Sequence, residues 1–315
     1  MIRYTSFAIA LLASFYSHAE TRVYGYLKNY SLVQDSLEIT PLKVDKLYSS
    51  QFSGRAMIDV LADRFAVQVH YEAGRDFNSD SAGFDTKSFG NNAIGPSLPK
   101  RNTYRWSDIT TTLGDANNKS VTRQNLDRLN VQWNLSAGDL TLGRQAITFG
   151  SARIINPTDV FLPFDVQTLN TEYRVGIDAI RFQRPLGQLS EFDTGIVLGD
   201  KGAKDSAAFL RFKTSLQGND IELSAIRFSE QTLIGAGLER SLGPLGSWLE
   251  VASVSGDQDY VRASLGLDYG FNENWFTMLE YHYNGAGTDN STEYLSQLST
   301  RPYTAGGVFL LGEHY

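Results

Sequence analysis

Seven polar residues crowd around one proline-pinned stretch of this chain: Arg144, Arg153, Asn156, Asp159, Asp165, Glu172 and Arg174. Three guanidiniums, three carboxylates and an amide can bind a hydrated solute, or pair with one another and hold a segment in place. Acid–base chemistry would instead need the histidines. His70 and His282 each have a glutamate, Glu72 and Glu280, two residues away on the same face of a strand, which could polarise the ring. Nothing in the spacing completes a nucleophile pair or a metal site. We therefore expect no catalytic residue, no metal and no cofactor, and read these histidines as water-facing.

The segments that must carry these residues alternate with a period of two. In 262–271, Ala263, Leu265, Leu267, Tyr269 and Phe271 share one face, and Arg262, Ser264, Gly266, Asp268 and Gly270 share the other. The same split recurs in 129–135, with Leu129, Val131, Trp133 and Leu135 against Asn130, Gln132 and Asn134, and again in 65–72 and 207–216. Such runs exceed the five or six residues of an ordinary soluble strand and suit a tilted membrane strand. By parity Arg181, Arg211, Lys213, Arg262 and Glu280 face the water-filled side.

Strands are expected near 21–34, 48–62, 64–77, 122–136, 139–150, 175–185, 190–200, 203–217, 219–230, 231–242, 246–256, 259–271, 274–285 and 303–315. That is about fourteen. The long connections, 35–47, 78–121, 151–174 and 286–302, all follow odd-numbered strands, whereas every connection after an even-numbered strand is tight. An up-and-down barrel places those two sets at opposite ends, as outer loops and periplasmic turns. The fold class expected is all-β, an up-and-down antiparallel transmembrane β-barrel. Aromatic residues toward strand ends, Tyr24, Tyr26, Tyr30, Tyr71, Phe77, Trp133, Phe271, Trp275, Tyr281 and Tyr283, are expected in interfacial girdles.

The N-terminus fits export. Arg3, the apolar run Phe7–Phe15 and the small residues Ser17 and Ala19 form a secretory signal over 1–19, leaving 20–315 as the barrel domain. Lys and Arg number 28 against 35 acidic residues, a net charge of −7, which argues against nucleic acid as a partner; with no cysteine, disulfides contribute nothing. The partners expected are outer-membrane lipid, including lipopolysaccharide, and a small hydrophilic solute or oligosaccharide.

The connection 151–174 is too apolar for a solvated tip. Ile154, Ile155, Val160, Phe161, Leu162 and Phe164 need a wall, its polar residues need water, and Pro157 and Pro163 bar strand pairing. A loop folded into the lumen meets all three demands. In the preceding strand Leu140 and Leu142 set an outward phase that Ile147 and Phe149 resume after an odd interval, so a β-bulge near Arg144, Gln145 and Ala146 is expected. It would turn Arg144 inward, toward Asp159 or Asp165.

The stretch 140–165 followed by 172–187 resembles the characteristic region of porin-like bacterial outer-membrane β-barrels of an alginate-export-like kind. The resemblance rests on Gly143, Arg144 and Gln145, on Asn156 to Asp159, on Pro163 and Phe164, and on Gly176, Asp178 and Ala179, and covers about 45 residues. It implies an envelope channel or exporter. Such proteins often run longer, so fourteen to eighteen strands are expected if the chain continues beyond Tyr315. The rival reading is a surface-binding or adhesion barrel that uses its long outer loops and transports nothing.

Overall fold

In the computed structural model, residues 19–35, 37–39, 42–44, 46–79, 104–107, 111–113, 119–161, 174, 176–200, 202–256 and 259–286 are described. Thirteen long strands form one continuous antiparallel path in chain order. They are β1 (Glu20–Gln34), β2 (Leu47–Leu61), β3 (Phe65–Asn78), β4 (Ser120–Leu135), β5 (Gly138–Gln145), β6 (Ile177–Pro185), β7 (Ser190–Val197), β8 (Ala207–Leu216), β9 (Asn219–Phe228), β10 (Gln231–Leu242), β11 (Leu245–Ser255), β12 (Tyr260–Asn272) and β13 (Trp275–Asn284). A three-residue strand, Thr111–Leu113, pairs beside β4, and Leu37–Ile39 pairs with Leu42–Val44 as a separate small hairpin. These thirteen correspond in order to the first thirteen strands expected from the sequence, with β5 ending five residues early and β8 beginning four residues late. The fourteenth, 303–315, lies outside the described residues, as do nearly all of the signal segment and the connection 287–302.

Turns alternate in length as the sequence requires. Residues 62–64, 136–137, 186–189, 217–218, 243–244 and 273–274 close tight turns at one end of the sheet. At 217–218 both Gln217 and Gly218 have positive φ, 52° and 74°, the mirror-image turn whose twist suits a two-residue hairpin. The strand ends that flank the connections 35–46, 79–119 and 146–176 all lie at the other end.

The two faces of the sheet are inverted relative to a soluble protein. Leu129, Ile180, Ile196, Leu210, Leu223, Ile234, Leu249, Leu265 and Leu267 stand exposed on one face, while charged residues of the other face, Arg55, Glu72, Asp127, Asp193, Arg211, Glu250 and Arg262 among them, are buried. Burying that apolar row in hydrocarbon is favourable by roughly 25 cal/mol per Å², whereas leaving it in water forfeits the largest driving force a sheet has. The wall is that of a transmembrane barrel, greasy outside and polar within.

The girdle expectation holds in part. Phe77, Trp133, Phe271, Trp275, Tyr281 and Tyr283 are exposed toward strand ends, whereas Tyr71 sits in mid-strand. Tyr24 and Tyr26 are not outward: the Tyr24 hydroxyl donates to Asp59 at 2.6 Å and Arg55 Nε donates to the Tyr26 hydroxyl at 2.8 Å, both on the polar face. Alternation, not aromaticity, decides their side.

Candidate functional site: a segment seated on the polar wall

Residues 146–161 leave β5 and lie across the polar face of strands that follow them by up to 127 residues in sequence. Arg211 on β8 donates to the Thr148 carbonyl at 2.7 Å, and the Gly150 amide donates to Glu222 on β9 at 3.2 Å. Glu250 on β11 accepts the amides of Ser151, Ala152 and Thr158 at 2.8, 2.9 and 2.8 Å, and the Thr158 hydroxyl at 2.7 Å. Glu280 on β13 accepts the amides of Arg153, Ile154 and Ile155 at 2.9, 3.2 and 2.8 Å, together with Trp248 Nε1 at 2.8 Å. Arg262 and Ser264 on β12 donate to the Pro157 and Ile155 carbonyls, at 3.1 and 2.7 Å. One short segment reaches strands from β8 to β13 only because the wall curves around it.

The chemistry of this seat follows from the prolines. A segment that cannot pair as a strand has amides to satisfy, and buried amides without acceptors cost about 1–3 kcal/mol each. Wall carboxylates supply the acceptors. Two glycines clear the space. At Gly150, with φ of +94°, a Cβ would lie 2.5 Å from both carboxylate oxygens of Glu250. At Gly235 on β10 it would lie 2.4 Å from Thr158 Cγ2.

Apolar residues complete the seat. Ile147, Phe149, Val160 and Phe161 are buried with Phe209, Ile226, Leu233 and Val254 in one cluster on the same face. Phe161 meets Tyr104, Phe149 and Phe209 edge-on, with ring centroids at 5.0, 5.6 and 6.0 Å.

This corrects the expected bulge. β5 keeps its register with both neighbours through Arg144 and ends at Gln145, so Ile147 and Phe149 are not strand residues resuming an outward phase. The irregularity lies in β4, where the register shifts between His70 and Tyr71 and Asp127 has no partner across it. Arg144 also has a different role from the one expected. Its partner is Asp178, at 2.8 Å, and it donates to the carbonyls of Leu126, beside the β4 bulge, and Ser107. Asp159 is fully buried and faces Arg174 at 3.6 Å, while Arg153 pairs with Glu239 at 2.6 Å and lies over the Trp248 ring at 5.4 Å. Asn156 is buried in the same turn, its carbonyl accepting the Asp159 amide at 3.2 Å. Asp165 and Glu172 lie outside the described residues.

The residues placed by parity on the polar face all lie there. Asp193 accepts from Arg181 at 2.8 Å and from Arg211 at 2.5 Å, and Lys213 pairs with Glu222 at 2.9 Å. A second network, not foreseen from the sequence, links β2, β3 and β4: Arg55 pairs with Glu72 and Asp127, and Arg123 with Glu72 and Asp76. Arg105 joins it from the 104–107 segment, donating to Asn125 at 2.7 Å and to the Gly176 carbonyl at 2.9 Å.

The histidines serve the wall. His70 contacts Asp59 at 3.0 Å, while Glu72 is engaged with arginines. His282 Nδ1 lies 2.8 Å from Ser264 Oγ, and the Ser264 hydroxyl donates to the Ile155 carbonyl, tethering the segment to β12.

No family model matches the chain, and no curated protein matches it. Among solved structures it is similar to OccAB4 of Acinetobacter baumannii, at 12% identity and a TM-score of 0.49, over 85% of this chain and 68% of that one. It is also similar to OccD3 (OpdP) of Pseudomonas aeruginosa, at 9% and 0.43, over 87% of this chain and 58% of that one. OprB of Pseudomonas putida matches at 12% and 0.41, over 89% and 81%. At this distance the likeness carries no function across.

Proposed function

We propose that the protein is a bacterial outer-membrane channel for small hydrophilic solutes, exported by its N-terminal segment 1–19, and that the connection 151–174 narrows its bore. The observation that carries this reading is the inverted polarity: an apolar exposed face outside, and inside it buried arginines and carboxylates on which Gly150–Thr158 is held. Around fourteen strands enclose more space than wall side chains fill, so whatever enters the lumen sets the passage. Arg153 and Arg174 keep part of their side chains exposed, 48% and 30%, and among the described residues are charged groups of this segment that a passing solute would meet. An oligosaccharide is included in the solute class, because cations, carboxylates, hydroxyls and amides all line the same face.

Reconstitution in a planar bilayer tests the reading. Stepwise conductance, with fractionation of cells placing the protein in the outer membrane, is the expected result. A folded protein that inserts and carries no current is a membrane barrel without a transport role.

A further inference from the structure

The exposed face is not uniformly convex. Across β6 to β10 it sinks into an apolar recess of about 490 Å³, walled by Ile180, Phe182, Ile196 and Leu210 and floored by Ala208 and Ala225. The recess exists because two outward positions of adjoining strands carry methyl groups where their neighbours carry branched side chains. The Thr194 hydroxyl, which also borders it, is turned away to the Phe209 carbonyl at 2.9 Å, so the lining presents almost nothing polar.

One end of the recess differs. Arg227, opposite Ala208 on β8 and Thr232 on β10, lies on the outward parity two residues before the 229–230 turn, at the end of the sheet that carries the long connections. Its Nη1 donates to Thr232 Oγ1 at 2.9 Å, and it makes no ion pair among the described residues. A fixed cation at the mouth of a dry groove, at the loop-bearing end of an apolar wall, is complementary to an anionic headgroup whose chain lies in the groove.

We propose that this recess is a binding site for one phosphorylated glycolipid of the outer leaflet, with an acyl chain over Ala208 and Ala225 and a phosphate on Arg227 and Thr232. The proposal rests on the outer-membrane reading above but not on the channel reading, since the groove faces away from the lumen. Charge decides the occupant: a second copy of this chain would bring its own apolar wall against Arg227 and bury that cation without a partner.

The test uses the full-length protein in detergent micelles, titrated with purified lipid A and with the same lipid stripped of its phosphates, with native mass spectrometry counting bound molecules. The expected result is one retained lipid A per chain, held about tenfold more tightly than the dephosphorylated form, the scale of one charge-assisted hydrogen bond. Arg227→Gln should abolish that preference, and Ala225→Phe, which fills the floor, should lose both lipids while conductance stays unchanged. Equal retention of the two lipids by the native protein needs no variant to interpret and would overturn the proposal. So would dissociation of an oligomer by Ala225→Phe, which would make the recess a subunit contact. Failure of the protein to enter micelles or membranes at all would instead refute the outer-membrane reading itself.

Discussion

Thr158 donates two hydrogen bonds to Glu250: its backbone N–H at 2.8 Å and its hydroxyl at 2.7 Å both end on the same carboxylate oxygen, 92 residues further along the chain. The amides of Ser151 and Ala152 take the other oxygen, so a single wall carboxylate closes both ends of the turn.

Removing that carboxylate should therefore free the segment. Glu250→Ala leaves three amides and a hydroxyl with no acceptor, and is expected to lower stability on the order of 3 kcal/mol, since each unmet buried donor costs about 1–3 and the losses do not add fully. Glu250→Gln keeps one accepting oxygen and should cost less. Chemical unfolding from micelles reads both values, and equal values for the two variants would mean that the acceptor is not what matters.

The glycine seat gives a steric version of the same experiment. A methyl group at Gly235 meets Thr158 Cγ2 at 2.4 Å and Ser224 Oγ at 2.5 Å, whereas at Gly237 the nearest atom is Ser151 Oγ at 3.0 Å. Gly235→Ala should lift the segment and raise single-channel conductance; Gly237→Ala should change it far less.

Much of this architecture was legible in the sequence. Alternation identified both faces of β12, where Arg262 and Ser264 are buried and Leu265 and Leu267 exposed, because a period of two needs no long-range information. That 151–161 leaves strand pairing and packs apolar residues on a wall was legible too, from Pro157 among apolar residues. What holds it was not. Glu250 and Glu280 bind backbone amides, which carry no side-chain signal, and they do so from 92 to 127 residues away. Arg144 misled for a related reason: phase counting assumed that the strand ran on to Phe149, but it stops at Gln145, and the extra residue is Asp127 in the neighbouring strand.

The arginine pair on Asp193 predicts a steep stability penalty. Asp193→Asn leaves Arg181 and Arg211 facing each other across a neutral amide, and removing the partner of a buried charge costs about 3–5 kcal/mol. Adding Arg211→Met to Asp193→Asn should recover part of that loss, because one buried cation then remains on the amide instead of two. Thermal unfolding of the single and double variants reads the coupling, and strict additivity would mean that the charges do not interact.

Hydrocarbon exposure predicts the reverse for the other face. Leu267→Arg should cost roughly 2–4 kcal/mol near the bilayer midplane, while Lys213→Gln on the polar face should fold into vesicles nearly as well as the native chain. Equal losses would mean that the exposed row does not meet lipid.

Single-channel conductance after replacement of 151–158 by a short glycine–serine linker tests the central claim most directly. If this segment, pinned by Glu250 and Glu280, narrows a water-filled lumen, the variant opens to a higher conductance and discriminates less between small and large solutes. A folded, membrane-inserted variant with the native conductance would contradict it.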